Sequence, residues 1–205
     1  MAGPMARAQV QANTDQSERL SKQDWITAAL HVVGKGGVAQ VRIEVLARSL
    51  GVTKGSFYWH FKDRNALLGE MLRFWQQSLT SAVGQFVRTK IETPRDRLAY
   101  LIGLASEDRD GVPGGTIEHA LREWARSSEL ARHAISEVDS ERLAIISEIY
   151  RDMGMGKAHA DSAALLALSH LIGVNVIHRD VGLQAFRAQR EICLGFLLEL
   201  PERMS

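Results

Sequence analysis

Between Gly51 and Phe61 the chain reads GVTKGSFYWHF, and its reactive side chains share a character. Lys54 carries a cation. Ser56, Tyr58, Trp59 and His60 bring a hydroxyl, a phenol, an indole N–H and an imidazole, all able to donate hydrogen bonds. A core helix would not need the lysine, and a solvent-facing loop would not need the rings. The set suits the holding of phosphate oxygens and the reading of base edges. Thr53 and Lys54 stand where a helix would begin, at an end with free N–H groups and partial positive charge. Gly55 and Ser56 are small enough for the backbone to approach a nucleic acid closely. Lys62 and Arg64 follow, placed to clamp the flanking phosphates.

The elements that must position these groups follow from periodicity. Phe57 and Phe61 are four residues apart and share one helical face, which must pack on the helices before it. The other side chains then project elsewhere. Upstream, Ser21 is a candidate cap for SKQDWITAALHVVGKGG, where Trp25, Ala28, Ala29, Val32 and Val33 have helical spacing and Gly36-Gly37 closes the helix. VRIEVLARSLG forms a short helix burying Val45, Leu46 and Leu50, and Thr53 caps KGSFYWHF. Two short helices joined at a glycine turn, with a first helix across them, make a helix-turn-helix.

Asp63 caps a long fourth helix to about Thr89, with an apolar stripe at Leu68, Leu72, Trp75, Leu79, Val83 and Phe86. It would span roughly 39 Å. Thr93-Pro94 opens a fifth helix through about Glu107. DRDGVPGGT reads as a loop. Thr116 caps a helix to about Arg126, Ser127-Ser128 begin one that stops at Gly154, and ADSAALLALSHLIGVNVIH is apolar almost all round. A last helix runs from Gly182 to Leu200, where Pro201 stops it. The expectation is an all-α fold of about nine helices.

The totals are those of a globular chain: 205 residues, 45% hydrophobic, 24% charged, four prolines. No apolar run reaches the ~18 residues of a membrane span, and the first twenty residues lack a secretory core. One cysteine, Cys193, forbids an internal disulfide, so a cytoplasmic protein is expected. Residues 1–73 carry ten Lys/Arg against six Asp/Glu, a basic head (+4) on an acidic body (−3), a weak electrostatic footprint of nucleic-acid binding. Cys193 lies in an apolar stretch with no histidine near it. His119, His133, His159, His170 and His178 lack metal-ligand spacing, and Glu123 with Arg122 and Arg126 reads as an ordinary charged helix face. No catalytic role, metal or cofactor is expected.

LARSLGVTKGSFYWHFKDRNALL resembles the signature of the TetR family of transcriptional repressors, over roughly residues 21–75. Residues 1–20 are polar and rich in small residues and read as a disordered tail; the resemblance implies a helix-turn-helix over residues 21–66 and a helical regulatory and dimerisation domain over 67–205. It puts Lys54, Ser56, Tyr58, Trp59, His60 and Arg64 on DNA-contacting positions, with Thr53 and Lys62 beside them. Where relatives often carry a threonine or serine that caps the second helix and touches phosphate, this chain has Arg42, which could still reach one. A ligand cavity is implied among the fourth to eighth helices, with Met71, Phe74, Ser78, Tyr100, Leu104, Trp124, Tyr150, His170 and Asn175 as candidate linings. It would suit a small lipophilic or aromatic effector.

The implied partners are double-stranded DNA bearing an inverted repeat and a second copy of the chain, because one recognition helix covers only a few base pairs. A helical wheel of the last helix is apolar on one face at its start and on two at its end. That two-faced end, with the all-round apolar helix before it, suggests a four-helix bundle between subunits. Leu171, Phe196, Leu197, Leu198 and Leu200 are its candidates, with the partner-facing side left open between Phe196 and Leu198. Two other readings remain open: a DNA-binding architectural or partner-regulated protein without an effector, and a helical enzyme with a vestigial helix-turn-helix.

Overall fold

In the computed structural model, residues 20–104, 108–109, 112–177 and 183–204 are described. Apart from Leu20, the expected tail lies outside them, as do His178 and the end of the fifth helix expected near Glu107. The first helix, α1 (Lys22–Gly36), begins at a capping box. The Ser21 hydroxyl accepts from the Asp24 N–H, and the Asp24 carboxylate accepts from the Ser21 N–H at 2.7 Å. It ends at Gly37, whose φ of 76° favours glycine. A short 3₁₀ turn (Val38–Gln40) leads to α2 (Ile43–Ser49). Gly51, at φ 70°, makes the turn into α3 (Lys54–His60).

The expected long helix is present, but with a phase change inside it. α4 (Arg64–Gln76) starts under an Asp63 cap that accepts from the Ala66 N–H at 2.8 Å. A π-helical turn (Gln77–Ser81) then joins it to α5 (Ala82–Lys90). A π turn fits one extra residue into an α-helix. Before it the expected stripe holds: Leu68, Leu72 and Trp75 are buried. Thr80, within the turn, is buried, and after it the buried positions are Gly84 and Val87, each one later than the expected Val83 and Phe86, while Phe86 is exposed and the Leu79 side chain lies outside the described residues. Gly84 lies against α8, where a Cβ would come within 2.6 Å of Ile145 Cδ1.

The rest of the chain continues as α6 (Pro94–Leu104), a two-residue antiparallel ladder pairing Asp108 with Pro113 and Arg109 with Val112, then α7 (Gly114–Ala125), α8 (Glu129–Asp152), α9 (Lys157–Val176) and α10 (Leu183–Arg203). The ladder falls in the stretch expected to be a plain loop. α7 starts ahead of Thr116, so that residue does not cap it. Ser128 does cap α8. Among the described residues there are thus ten α-helices, or nine if α4 and α5 count as one.

Pro201 does not stop the last helix, which runs through it to Arg203. Proline leaves the carbonyl four residues back without its helical donor. That carbonyl, on Leu197, instead accepts from the Tyr150 hydroxyl of α8 at 3.0 Å, inside the protein.

Two apolar cores organise these helices. The first joins Trp25, Leu46, Phe57 and Phe61 to Leu67, Met71 and Trp75 of α4, and to Ile117, Leu121 and Val138 of α7 and α8. The second gathers Val87, Leu98, Ile102, Ile145, Tyr150, Ala163, Ala167, Leu197 and Leu198. α1 packs directly on α7, so the core of the helix-turn-helix does not end at residue 66.

Candidate nucleic-acid interface

The geometry of α3 is set from inside. The Phe57 ring meets Trp25 edge-on, with centroids 5.3 Å apart, and lies 5.4 Å from Phe61 at a shallow angle. With Phe57 and Phe61 buried, α3 cannot rotate. Tyr58 and Trp59 are therefore held outward at 61% and 86% exposure, a large apolar area left in water on a helix of seven residues. The Tyr58 ring is braced edge-on against Phe57 at 5.3 Å. Lys62 is exposed and His60 half-buried. Thr53 stands at the N-cap of α3 with extended backbone, yet its side chain makes no capping bond there, contrary to expectation. Arg42 occupies the N-cap of α2 in the same way, exposed and making no cap bond.

Two expected contacts are corrected. Ser56 is 1% exposed: it sits beside Phe57 on the inward face, one step round the helix, and its small side chain lets α3 pack closely. Its hydroxyl does not face outward. Arg64 is also turned inward. Its Nε donates to the Val41 carbonyl at 2.6 Å and one terminal nitrogen donates to the Val38 carbonyl at 2.7 Å. The first side chain of α4 thus grips the turn that starts α2, rather than a phosphate. No local signal reveals this, because the acceptors lie 23 and 26 residues upstream.

One residue on this surface was missed from the sequence. Glu44, exposed in the first turn of α2, accepts from the Lys54 ammonium at 2.6 Å. The hydrogen bond from Lys54 holds its carboxyl below the usual glutamate range. Its nearness to Lys54, ten residues on, comes from the fold alone.

Residues 26–71, which span α1 to most of α4, match the family described as bacterial regulatory proteins, tetR family. These residues carry the helix-turn-helix of the TetR family of transcriptional regulators. A curated relative, the HTH-type transcriptional regulator BetI of Ectopseudomonas mendocina (strain ymp), is 32% identical over 126 residues, covering 60% of this chain. The chain therefore spans 64% of that relative's length. Among solved structures, a proposed transcriptional regulator from Saccharomonospora viridis in complex with choline superposes with a TM-score of 0.70 at 16% identity, over 85% of this chain and 95% of its own. The transcriptional regulator FadR from Bacillus subtilis in complex with stearoyl-CoA gives 0.62 at 18% identity, over 88% and 97%. At those identities the likeness is one of fold.

In the body of the chain, the nine candidate cavity residues are not gathered in one place. Met71 is buried in the first core, with Phe74 and Trp124 packed against it. Phe74 also lines an open groove with Lys22, Ile26, Glu70 and Gln77. Ser78 is half-buried in the π turn; Leu104 and His170 are half-buried. Three residues are corrected. Tyr150 is wholly buried, its phenol is bonded to the Leu197 carbonyl, and burial raises its pKa. Tyr100 lies at the surface against Phe86, ring centroids 5.3 Å apart. Asn175 is exposed, donates to the Leu171 carbonyl at 3.0 Å and lies against Gly115.

Arg122 does not pair with Glu123 on an exposed face. It donates to Glu118 at 2.7 Å and to Asp139 at 2.6 Å, and Arg142 donates to Glu118 at 2.9 Å while its guanidinium covers the Trp75 ring. Burial alone would raise the Glu118 pKa, but the two arginines outweigh it and hold the carboxyl below its ordinary value. This half-buried network ties α7 to α8 beside the end of α4.

The dimer candidates divide. Leu197 and Leu198 are buried in the chain's own second core, and Leu171 and Leu200 lean on it, so Leu197 and Leu198 are corrected to intramolecular roles. Phe196 is 57% exposed. Ile192 on the same helix and Leu165 and Leu166 on α9 are also exposed.

Proposed function

We propose that this chain is a homodimeric repressor that binds an inverted-repeat operator and is released by a small lipophilic or aromatic effector. The observation that carries the reading is the outward set on α3, with Tyr58 and Trp59 held in water by the buried Phe57 and Phe61 and with Lys54 and Lys62 at the two ends. Arg42, Thr53 and His60 complete the DNA face. Exposed phenol and ammonium groups suit phosphates, and an exposed indole offers apolar area and an N–H to a groove. The exposed Leu165, Leu166, Ile192 and Phe196 are the side that a second copy covers, as a four-helix bundle across a two-fold axis.

The effector part of the proposal has support in kind: two proteins of similar fold were crystallised with choline and with stearoyl-CoA. In this chain the half-buried Phe74, Ser78, Leu104, Trp124 and His170 and the buried Met71 remain the cavity candidates. An effector must bind the DNA-incompetent state more tightly than the competent one. The rod from α4 through α5 is the lever, since Arg64 at its start grips the reader's turn and its far half packs on the body.

The deciding experiment is selection from a random DNA pool with the purified dimer. An enriched inverted repeat with half-site centres about 34–36 Å apart is expected. Binding should weaken steeply with salt, and Tyr58→Phe and Lys62→Ala should weaken it on all sequences. A pool with no enriched motif overturns the reading. A specific motif that no small molecule releases overturns only the effector part.

A further inference from the structure

Glu44 is an acid on a surface otherwise built to meet an anion. Arg42, Thr53, Lys54, Tyr58, Trp59 and Lys62, on α2, α3 and the residues flanking them, are all exposed, and their cations and hydrogen-bond donors suit a nucleic acid. A carboxylate there opposes phosphates, so its presence calls for a reason. Its contact supplies one. The Glu44 carboxylate accepts from the Lys54 ammonium at 2.6 Å, bridging the first turn of α2 to the first residue of α3. Both side chains are more than half exposed, so the pair adds little to the stability of the fold.

A lysine ammonium is a compact point charge on a flexible stem. Left alone at a DNA surface, it settles on the nearest phosphate, a contact that carries no sequence information. Engaged with Glu44, the ammonium keeps one proton on the carboxylate and stays at the N-terminus of α3. Two protons remain free, enough for the paired O6 and N7 acceptors of a guanine in the major groove.

We infer that Glu44 is a specificity-determining positioning residue, which restrains Lys54 for base readout and penalises its use as a general phosphate anchor. The inference rests on the DNA-binding reading above and deepens it. Glu44 need not touch DNA; it acts through Lys54.

The test uses full-length protein with three variants: Glu44→Gln, Lys54→Ala and the double substitution. Each is measured against the selected operator, operators changed one base pair at a time, and a scrambled duplex of equal composition, at two or more salt concentrations. Glu44→Gln should raise affinity for the scrambled duplex about three- to tenfold and for the operator by less. It should flatten the preference at the base pair read by Lys54, and steepen the salt slope by about one unit as the freed ammonium takes a phosphate. In the Lys54→Ala background the same substitution should change preference at no position. An unchanged profile in Glu44→Gln overturns the inference. So does a change of preference that survives without Lys54, which would mean that Glu44 reads DNA itself. Wild-type binding in the same assay separates failure of this inference from failure of the DNA-binding reading.

Discussion

Pro201 lies in the last turn of α10 and has no N–H to donate, so the Leu197 carbonyl depends on the Tyr150 hydroxyl instead. A buried carbonyl deprived of its donor costs about 1–3 kcal/mol. Tyr150→Phe should therefore destabilise the protein by that amount in denaturant melts, while folded dimer keeps its DNA affinity. Pro201→Ala restores a main-chain donor to the same carbonyl. In that background Tyr150→Phe should cost roughly 1 kcal/mol less, a coupling that a double-mutant cycle reads directly. Equal costs in both backgrounds would mean that the hydroxyl is not the carbonyl's substitute donor. The sequence alone reads Tyr150 as a cavity wall and Pro201 as a helix stop. Each residue's role depends on the other, from a helix distant in the chain, and no local pattern carries that.

At the scale of the element, α10 shows how far periodicity reaches. The wheel found two apolar faces toward its end, but periodicity cannot say which face is inside. The structure turns Leu197 and Leu198 into the second core and leaves Ile192 and Phe196 in water. Phe196→Glu should therefore give folded chains that sediment as monomers and lose the inverted repeat. Leu197→Glu should unfold the body, because a carboxylate buried without a partner is strongly destabilising. Sedimentation and circular dichroism on both variants check this, and two folded dimers at micromolar concentration would overturn the bundle. Legibility was greatest where short-range signals agree: the Ser21, Asp63 and Ser128 caps, the glycine turn at Gly51 and the Phe57/Phe61 face were all readable. It was least where a distant partner decides, as with Arg64 on the Val38 and Val41 carbonyls, Glu44 on Lys54, and Arg122 between Glu118 and Asp139.

For the whole molecule, the family signature suggests a boundary near residue 66, but the apolar core ignores it. Trp25, Phe57 and Phe61 share one cluster with Met71, Trp75, Ile117, Leu121 and Val138. Cutting after residue 66 would leave the reader's own core open to water on the side that α4, α7 and α8 cover. A fragment that short already lies near the lower limit of independent folding. Residues 20–66 alone should show no cooperative thermal transition by circular dichroism, whereas the full chain melts as a unit. A fragment with a sharp transition would restore the boundary. Within this shared core α7 packs directly on α1, a contact that does not run along α4.

The one-residue slip at the π turn bears on how relatives are aligned. A homologous helix that is α throughout can be matched to this one only with a gap of one position between Gln76 and Ala82. Aligned straight through, each position from Ala82 to Lys90 takes on its neighbour's environment. Exposed Phe86 would be scored as a core aromatic, and Gly84 as free surface. A substitution profile built on that alignment would accept a bulky side chain at residue 84, in space that Ile145 already fills.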